Sequence, residues 1–319
     1  MRLIDFIPTN APDAPPRFGL LCGATVIELS VDGATLQEWL ERGMTHAEEL
    51  RLIAAHFDGS GEAAVPGDPA LARLIRRTLL LDAVHLAAPV RRPPALRDFY
   101  AFEQHVKAGN AIRGREIPPQ WYEIPVFYFS NPTSIIGPDD PVSAPKASRA
   151  LDYELEVACV IGKTGRDIPA NEAENYIAGY LIFNDWSARD LQRQEVAVGL
   201  GPAKGKDFAS SFGPMLVTPD ELADRHAGRP GVYNLTMTAR VNGGERSRGN
   251  WADLYHSFGD MIARASADAT LYPGDLIGSG TVGTGCLLEL TKGQGPWLQS
   301  GDIVELEIER LGVLRNTVY

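Results

Sequence analysis

The chain has 319 residues, of which 44% are hydrophobic and 22% are charged, a composition typical of a folded globular protein and not of a disordered one. Forty-one acidic residues against thirty basic ones give a formal net charge of −11, and no block of Lys and Arg forms a basic stripe. This balance argues against nucleic-acid and anionic-membrane partners. The chain shows no apolar stretch of about 18 residues and no signal-peptide pattern, so we expect a cytoplasmic protein.

The first ninety residues predict a small α+β domain. The run RFGLLCGATVIEL (17–29) is typical of a hairpin, and the runs at 36–57 and 69–81 have the apolar spacing of amphipathic helices. The segment VHLAAPVRRPPALRDF then brings two adjacent prolines and a short basic cluster, which is typical of a linker. We therefore place a boundary near residues 88–95, with domains at 1–90 and 91–319.

The remainder of the chain predicts a β-rich α+β architecture with few helices. Short β-runs such as PVFYFS, YELEVACVIG, YIAGYLIFND, CLLELT and DIVELEIERLG are separated by Gly and Pro, without the alternation expected of βαβ units. Ser187-Ala188-Arg189-Asp190 has the form of a capping box and predicts a helix just after Asp185. A second helix is predicted within WADLYHSFGDMIARAS (251–266).

The run DYELEVACVIG predicts a strand with two carboxylates on one face. Residues two apart in a strand point the same way, so Glu154 and Glu156 project side by side while Leu155 turns inward. An isolated pair of this kind is more often the solvent face of a strand. Asp185 and Asp98, however, also lie at the edges of hydrophobic segments. Four clustered carboxylates need a cation, and Mg²⁺ or Ca²⁺ prefers such oxygen ligands.

A candidate general base lies close to one of these acids. His105 follows Asp98 by seven residues, and a neutral imidazole beside a metal-polarised substrate can accept a proton near pH 7. Such a base needs a carboxylate to orient it, and Glu289 lies inside the apolar run CLLELT. Alone, His105 would more often be a structural residue, and Glu289 would be a surface residue of an alternating strand.

The three cysteines predict neither a disulfide framework nor a zinc site. They lie far apart in the sequence, without a CxxC pair: Cys22, Cys159 and Cys286. Two of them sit within apolar runs, so we expect buried thiols.

Residues 96–319 resemble the fumarylacetoacetate hydrolase family. The segments DFY, QH, RGRE, PVFY, the Glu-x-Glu strand, NDWSARDLQ, GKDF, SGT and LLEL occur in the order found in that family. The resemblance implies a C-terminal domain of mixed sheets with a roll or barrel-like form, accompanied by the smaller N-terminal α+β domain. It also implies a homodimer.

The resemblance also implies roles for twelve residues. The implied ligands of a divalent metal are Asp98, Glu154, Glu156 and Asp185. The implied catalytic groups are a general-base dyad and two groups that stabilise developing negative charge: His105 with Glu289, and Gln192 and Lys206. The implied contacts to the substrate's carboxylate and oxo oxygens are Tyr100, Arg113, Tyr128 and Thr281. The expected cofactor is one divalent cation per chain, foremost Mg²⁺, with Ca²⁺ or Mn²⁺ as alternatives.

The family contains hydrolases, decarboxylases, hydratases or dehydratases and isomerases, so the fold alone does not select a reaction. The presence of both His105 and Glu289 favours water activation. The sequence therefore predicts a catabolic enzyme that hydrolyses a C–C bond in a 1,3-diketo acid of the acylpyruvate or fumarylacetoacetate type. A metal-dependent decarboxylase or hydratase of oxo acids is the alternative, and a metal-dependent binding protein without catalysis is a further one.

Overall fold

A computed structural model describes residues 1–60 and 65–319. The strands, in chain order, are β1 Arg2–Pro8, β2 Arg17–Cys22, β3 Thr25–Leu29, β4 Ile75–Leu80, β5 Val84–Ala87, β6 Leu96–Phe99, β7 Phe127–Ser130, β8 Ile135–Ile136, β9 Pro141–Val142, β10 Leu151–Asp152, β11 Leu155–Ile161, β12 Gly165–Arg166, β13 Ile177–Asp185, β14 Ser187–Ala188, β15 Ser210–Val217, β16 Thr236–Val241, β17 Gly244–Asn250, β18 Thr270–Leu271, β19 Leu276–Gly278, β20 Ile303–Ile308 and β21 Gly312–Val318. The helices are α1 Leu36–Glu41, α2 Ala47–Ser60, α3 Pro69–Ala72, α4 Glu103–Ile112, α5 Gln120–Glu123, α6 Arg189–Ala197, α7 Phe258–Ser266 and α8 Leu287–Leu290.

A long sheet forms the centre of the molecule. Its strand order is β4-β3-β2-β1-β15-β13-β11-β19-β6-β7, with β5 paired to β1 and β8 paired to β15. Both faces of its middle strands are covered: Val157 and Cys159 contribute to one hydrophobic core, whereas Ala158 and Val160 contribute to the other. Strands buried on both faces have continuous apolar sequences, which explains the runs LEVACVI and IAGYLIF.

A second sheet of five strands, ordered β17-β16-β20-β21-β9, packs over the first core together with α7. Within that core, the rings of Tyr180, Trp251 and Phe258 pack against one another near the start of α7. The ring centroids of Tyr180 and Trp251 are 4.9 Å apart. α7 begins with a capping box in which Ser257 and Asp260 bond to each other's backbone N–H groups. The β-rich α+β class predicted from the sequence is confirmed.

The N-terminal strands belong to the long sheet. β1 pairs antiparallel with β15, with Leu3 opposite Leu216, and α1 and α2 cover the second core through Trp39, Leu40 and Ile53. Hydrogen bonding therefore crosses the boundary predicted near residues 88–95, and the division into domains 1–90 and 91–319 stays a prediction.

Several local predictions differ from the structure. The hairpin at 17–29 is present as β2 and β3, but only Pro69–Ala72 of the run 69–81 is α-helical, because Ile75–Leu80 pairs with β3 as β4. The run 36–57 is divided into α1 and α2, and the helix predicted within 251–266 begins only at Phe258. Cys159 and Cys286 are buried, as expected, and Cys22 is buried as well.

Within the described part of the chain, no helix has both the length and the hydrophobicity to cross a membrane. The longest described helix, α2, has 14 residues, whereas a membrane-spanning helix needs about 20.

Candidate functional site

Strand register brings the four predicted carboxylates to one end of the long sheet. β11 and β13 run antiparallel with Leu155 opposite Asn184, so Glu154 lies beside Asp185. Asp98 reaches the same place because β6 runs parallel to β19, with Asp98 opposite Gly278, and β19 pairs with β11. Residues far apart in the sequence therefore meet where several neighbouring strands end.

Three of the carboxylates form a tight buried group. Asp98, Glu156 and Asp185 each contribute one oxygen atom, and these atoms lie within 4.8 Å of one another. Gly280 donates its N–H to Asp98 Oδ1 at 3.2 Å and to Glu156 Oε2 at 3.1 Å, while Thr281 Oγ1 donates to Glu156 Oε1 at 3.3 Å. Gly280 has φ +76°, and a Cβ there would lie 2.5 Å from the carbonyl oxygen of Phe99. Only glycine fits this turn without strain.

The electrostatics of this group favour a bound cation. Burial raises the pKa of Asp98, Glu156 and Asp185, and the negative charges of neighbouring carboxylates raise each of them further. Burial would likewise raise the pKa of Glu154, but the charges of Lys206 and Arg189 outweigh it and hold that pKa below its usual range. A divalent cation would relieve the repulsion among the remaining three carboxylates.

Lys206 joins Glu154 to the group. Its buried Nζ lies 2.5 Å from Asp185 Oδ2 and also contacts Glu154 Oε2. Tyr128 donates its phenol hydroxyl to the same oxygen of Asp185. Burial and the charge of Asp185 raise the pKa of Tyr128, which keeps the phenol protonated as a donor. Glu154, Asp185, Lys206 and Tyr128 thus form one network.

The donor set fits a hard divalent cation. It consists of carboxylate oxygens alone, which Mg²⁺, Ca²⁺ and Mn²⁺ accept. Among the described residues, the buried Asp185 Oδ1 has no hydrogen-bond partner, although buried carboxylate oxygens almost always have one. An unsatisfied oxygen within a buried acidic group is the feature expected of a metal ligand.

The predicted base and its orienting carboxylate also meet. His105 lies on α4 and Glu289 on α8, and His105 Nδ1 lies 2.5 Å from Glu289 Oε1. A carboxylate at Nδ1 favours the tautomer with its proton on that nitrogen, which leaves Nε2 free to accept a proton. Nε2 lies 4.0 Å from Glu154 Oε1, so the free nitrogen faces the acidic group. The run LLEL, predicted as a strand, is a four-residue helix that carries Glu289 to this position.

Two important residues were not predicted. Asp152 accepts hydrogen bonds from the N–H groups of Leu287 and Leu288 at the start of α8, at 2.8 and 3.0 Å. The buried Arg189 contacts both Asp152 and Glu154 at 2.8 Å. Asp152 thereby fixes α8, and Arg189 neutralises one carboxylate. The alternation Asp152, Glu154, Glu156 and the position of Arg189 in NDWSARD were the available signals.

The capping box predicted at 187–190 is not formed. Ser187 pairs with Asp152 in the short β10–β14 ladder and donates its hydroxyl to the carbonyl of Asp185. α6 begins only at Arg189, and no side chain caps its N-terminus. Asp190 instead accepts hydrogen bonds from Ser148 Oγ and Arg149 N. The polar residues of this motif hold the chain next to the acidic group.

Ten of the twelve predicted site residues line one cavity of about 240 Å³. They are Asp98, Tyr100, His105, Arg113, Tyr128, Glu154, Glu156, Gln192, Lys206 and Thr281. Asp185 and Glu289 lie behind this surface, where they contact Lys206 and His105. Gln192 accepts a hydrogen bond from Arg189 at 3.1 Å, and the ring of Tyr100 packs edge-on against His105 with centroids 5.3 Å apart. The cavity is therefore lined by carboxylates, a histidine and cationic side chains.

The chain is similar to a family model and to several known proteins. The family model "Fumarylacetoacetate (FAA) hydrolase C-terminal" matches residues 95–319. The mitochondrial oxaloacetate tautomerase FAHD2A of Homo sapiens is 32% identical over 323 residues, covering 100% of this chain and 91% of that protein. The 2,4-didehydro-3-deoxy-L-rhamnonate hydrolase of Sphingomonas sp. (strain SKA58) is 38% identical over 197 residues, covering 61% of this chain and 65% of that protein.

Among solved structures, the fumarylacetoacetate hydrolase of psychrophilic Exiguobacterium antarcticum superposes with a TM-score of 0.73 at 28% identity. The match covers 100% of this chain and 99% of that one. The similarity thus includes the N-terminal strands as well as the segment that carries the acidic group. Since the family model, a relative matched along the whole chain and a solved fold all agree, this chain belongs to the fumarylacetoacetate hydrolase family.

Proposed function

We propose that the protein is a divalent-metal enzyme that hydrolyses the C–C bond of a 1,3-diketo acid of the acylpyruvate type. The observation that supports this reaction most directly is the His105–Glu289 pair, whose free nitrogen faces the acidic group. A base held this way can remove a proton from water beside a bound substrate. Asp98, Glu154, Glu156 and Asp185 would hold the cation, Mg²⁺ in the first instance.

The bound cation would supply a Lewis acid that polarises the substrate's oxygens and stabilises negative charge on the departing enolate. His105 Nε2 takes a proton from water, and the hydroxide adds to the distal carbonyl carbon. Glu289 stabilises the imidazolium that results. The bond between that carbon and the neighbouring CH₂ breaks, and its electron pair stays with the 2-oxo acid fragment, whose carbon takes the proton that His105 removed from water. A carboxylic acid and a 2-oxo acid are released.

Donors around the cavity suit the charges that develop in this reaction. Lys206 and Gln192 would stabilise the oxyanion formed when hydroxide adds to the carbonyl. Arg113 would hold the substrate's carboxylate, because a guanidinium fork matches its two oxygens. Tyr100, Tyr128 and Thr281 would position the remaining oxygens. The relative of 38% identity is named as a hydrolase, which agrees with this assignment.

A second candidate is the interconversion of enol and keto forms of a 2-oxo dicarboxylic acid. The observation that favours it is the full-length match to oxaloacetate tautomerases, at 32% identity over 100% of the chain. The same histidine would move a proton between oxygen and carbon, and no water would attack. Hydrolysis and tautomerisation share the stabilised enolate, so they differ in the fate of the substrate and not in the site.

The proposal is tested by incubating the protein with a 2,4-dioxo acid and Mg²⁺. The loss of the acid's enol absorbance measures turnover, and analysis of the products identifies the reaction. His105→Ala should lower kcat by about 10²–10⁴-fold, the range for loss of a general base, while Mg²⁺ binding measured by calorimetry is retained. His85→Ala is the matched control, because His85 is an exposed histidine on β5, away from the cavity. Chelation by EDTA should abolish turnover, and added Mg²⁺ should restore it.

Each alternative has its own outcome in this experiment. Faster ketonisation of enol-oxaloacetate together with an intact 2,4-dioxo acid would establish the tautomerase. Release of CO₂ from the oxo acid without C–C hydrolysis would establish the decarboxylase. Addition of water to the acid, or loss of water from it, without C–C hydrolysis would establish the hydratase. Metal and ligand binding without any turnover would establish a binding protein, and activity that survives complete metal removal would refute metal dependence.

A further inference from the structure

A second cavity opens directly from the site. It has a volume of about 540 Å³ and shares six of its lining residues with the cavity that holds the acidic group. The shared residues are Gly109, Arg113, Arg189, Gln192, Val196 and Leu288. Cavities that bind small organic ligands usually have volumes of about 300–1,000 Å³, so the outer cavity can accommodate a sizeable part of a substrate.

All charged residues that line the outer cavity are positive. Arg115, Arg193 and Lys292 line it beside Arg113 and Arg189, and no acidic residue does. Arg189 is neutralised by Asp152 and Glu154, whereas the side chains of the other four make no ion pair with any described residue. Such a concentration of unpaired cations is unexpected in a chain of net charge −11.

The helices explain how these charges come together. Arg193 lies one turn beyond Arg189 on α6, and residues four apart in a helix share a face. Arg115 follows the end of α4, and Lys292 follows the end of α8. Like charges four residues apart slightly destabilise a helix, so the pair on α6 has no structural benefit of its own. Three separate segments direct cations to one opening.

We propose that Arg115, Arg193 and Lys292 form a second anion subsite, which selects substrates that carry a carboxylate at the end remote from the 2-oxo acid group. The inference rests on the proposed function and narrows its substrate class to dicarboxylic oxo acids. Arg113 lies where the two cavities meet and is left to the substrate's first carboxylate. A cleft lined by one sign of charge raises the local concentration of an oppositely charged ligand, and Arg and Lys bind carboxylates directly.

Binding of two probes of equal carbon number separates the subsite from the reaction. 2-Oxoadipate carries a distal carboxylate and 2-oxohexanoate a distal methyl group, and neither contains the bond that the enzyme would hydrolyse. In calorimetric titrations with Mg²⁺, the unmodified protein should bind 2-oxoadipate more tightly than 2-oxohexanoate. Added salt should reduce this difference, since ions screen exposed charges.

The combined variant Arg115→Gln, Arg193→Gln and Lys292→Gln should weaken binding of 2-oxoadipate about tenfold, because each exposed charge contact contributes only a few-fold. Binding of 2-oxohexanoate should stay within about twofold. All three residues are exposed, so the fold should be retained, which a thermal melt would verify. Arg246→Gln is the matched control, because Arg246 is an exposed arginine on β17 that lines neither cavity.

Equal affinity of the unmodified protein for both probes would overturn the subsite, as would an equal loss for both probes in the combined variant. Turnover of 2,4-dioxo acids ending in a methyl group or a carboxylate tests the reaction separately. A protein that cleaves neither acid but prefers 2-oxoadipate through these three cations retains the subsite and loses the proposed reaction. A protein that cleaves both equally well retains the reaction and loses the subsite.

Discussion

Lys206 balances charge within the acidic group. Its ammonium is buried against Glu154 and Asp185, and burial, which opposes a charged amine, is outweighed by those two carboxylates, so its pKa is raised. A lysine in this position neutralises the site in part and also weakens its attraction for a divalent cation, because like charges repel. The folded protein is thereby less dependent on metal than four carboxylates alone would make it.

Lys206→Met should make folding depend on metal. In EDTA, loss of the ammonium leaves Asp185 without an ion pair to any described residue and Glu154 paired only with Arg189, and breaking such a buried ion pair costs about 3–5 kcal/mol. Added Mg²⁺ should stabilise the variant more than the unmodified protein, because the site has become more negative. Urea unfolding with EDTA and with Mg²⁺ measures both effects. Lys206→Arg keeps the charge as a control, and an equal response to Mg²⁺ in all three proteins would contradict the prediction.

Single residues of the site could be predicted where the two-residue period of a strand or the order of the family's motifs was sufficient. The two-residue period of β11 predicted the direction of Glu154 and Glu156, and the family's motif order supplied His105. Arg189 was missed because its role depends on Asp152 and Glu154, which it meets only after β10 and β14 have paired. The alternation of Asp152 with Glu154 and Glu156 indicated a further acid, but spacing alone does not indicate which cation pairs with it.

At the level of elements, α8 and β4 show where local patterns fail. The run LLEL has an alternation that permits a strand, yet Asp152 holds the N–H groups of Leu287 and Leu288 and fixes a short helix. The run 69–81 has helical spacing, yet Ile75–Leu80 pairs with β3, because a helix of this length is only marginally stable alone, whereas the edge of β3 supplies hydrogen-bond partners. In both segments, contacts with residues distant in the sequence determine the secondary structure. Only the long buried strands could be predicted from their local sequence.

A buried carboxyl on β1 couples the sheet to α1. Asp5 Oδ1 accepts the N–H of Leu36 at 2.7 Å, at the first turn of α1. Burial raises the pKa of Asp5 to about 8, with Glu38 adding to the rise and the Leu36 hydrogen bond and Arg91 opposing it. The unfolded carboxyl titrates near pH 3.9. The folded state therefore holds a proton between about pH 4 and pH 8 that the unfolded state has lost.

Asp5→Asn should change how stability depends on pH. In the unmodified protein the contribution of Asp5 is fully present below about pH 4 and is lost as the pH rises through about 8, by at most about 1.4 kcal/mol per pH unit. Asparagine keeps an acceptor for Leu36 and does not titrate, so the variant should gain stability relative to the unmodified protein over this range. Urea unfolding between about pH 5 and pH 9 measures the difference. Parallel stability curves would contradict the assignment.

For the whole molecule, the long sheet determines what can fold independently. β1 pairs with the edge of β15, and the core that contains Leu181, Phe183 and Phe212 also contains side chains from residues 1–57. The hydrogen bonds and both hydrophobic cores are shared across the boundary predicted near residues 88–95. An exposed strand edge beside an apolar face promotes aggregation.

The fragment 91–319 expressed alone should therefore aggregate or bind a hydrophobic dye strongly, whereas the full chain should remain monodisperse. Size-exclusion chromatography and near-ultraviolet circular dichroism of both proteins, produced with the same tag, measure this. A monodisperse fragment with a native spectrum would show that residues 91–319 are an independent folding unit and that the shared core is dispensable.

The proposed metal ligands and the residues of the proposed anion subsite are carried by different kinds of structure. The carboxylates lie on or next to strands β6, β11 and β13 of the long sheet, whereas Arg115, Arg193 and Lys292 belong to short helices and the loops beside them. Replacement of one of these helices or loops therefore leaves unchanged the strand register that brings the carboxylates together. Exchange of the segments around α4, α6 and α8 with those of a relative therefore offers a route to change substrate choice while the four carboxylates stay in place.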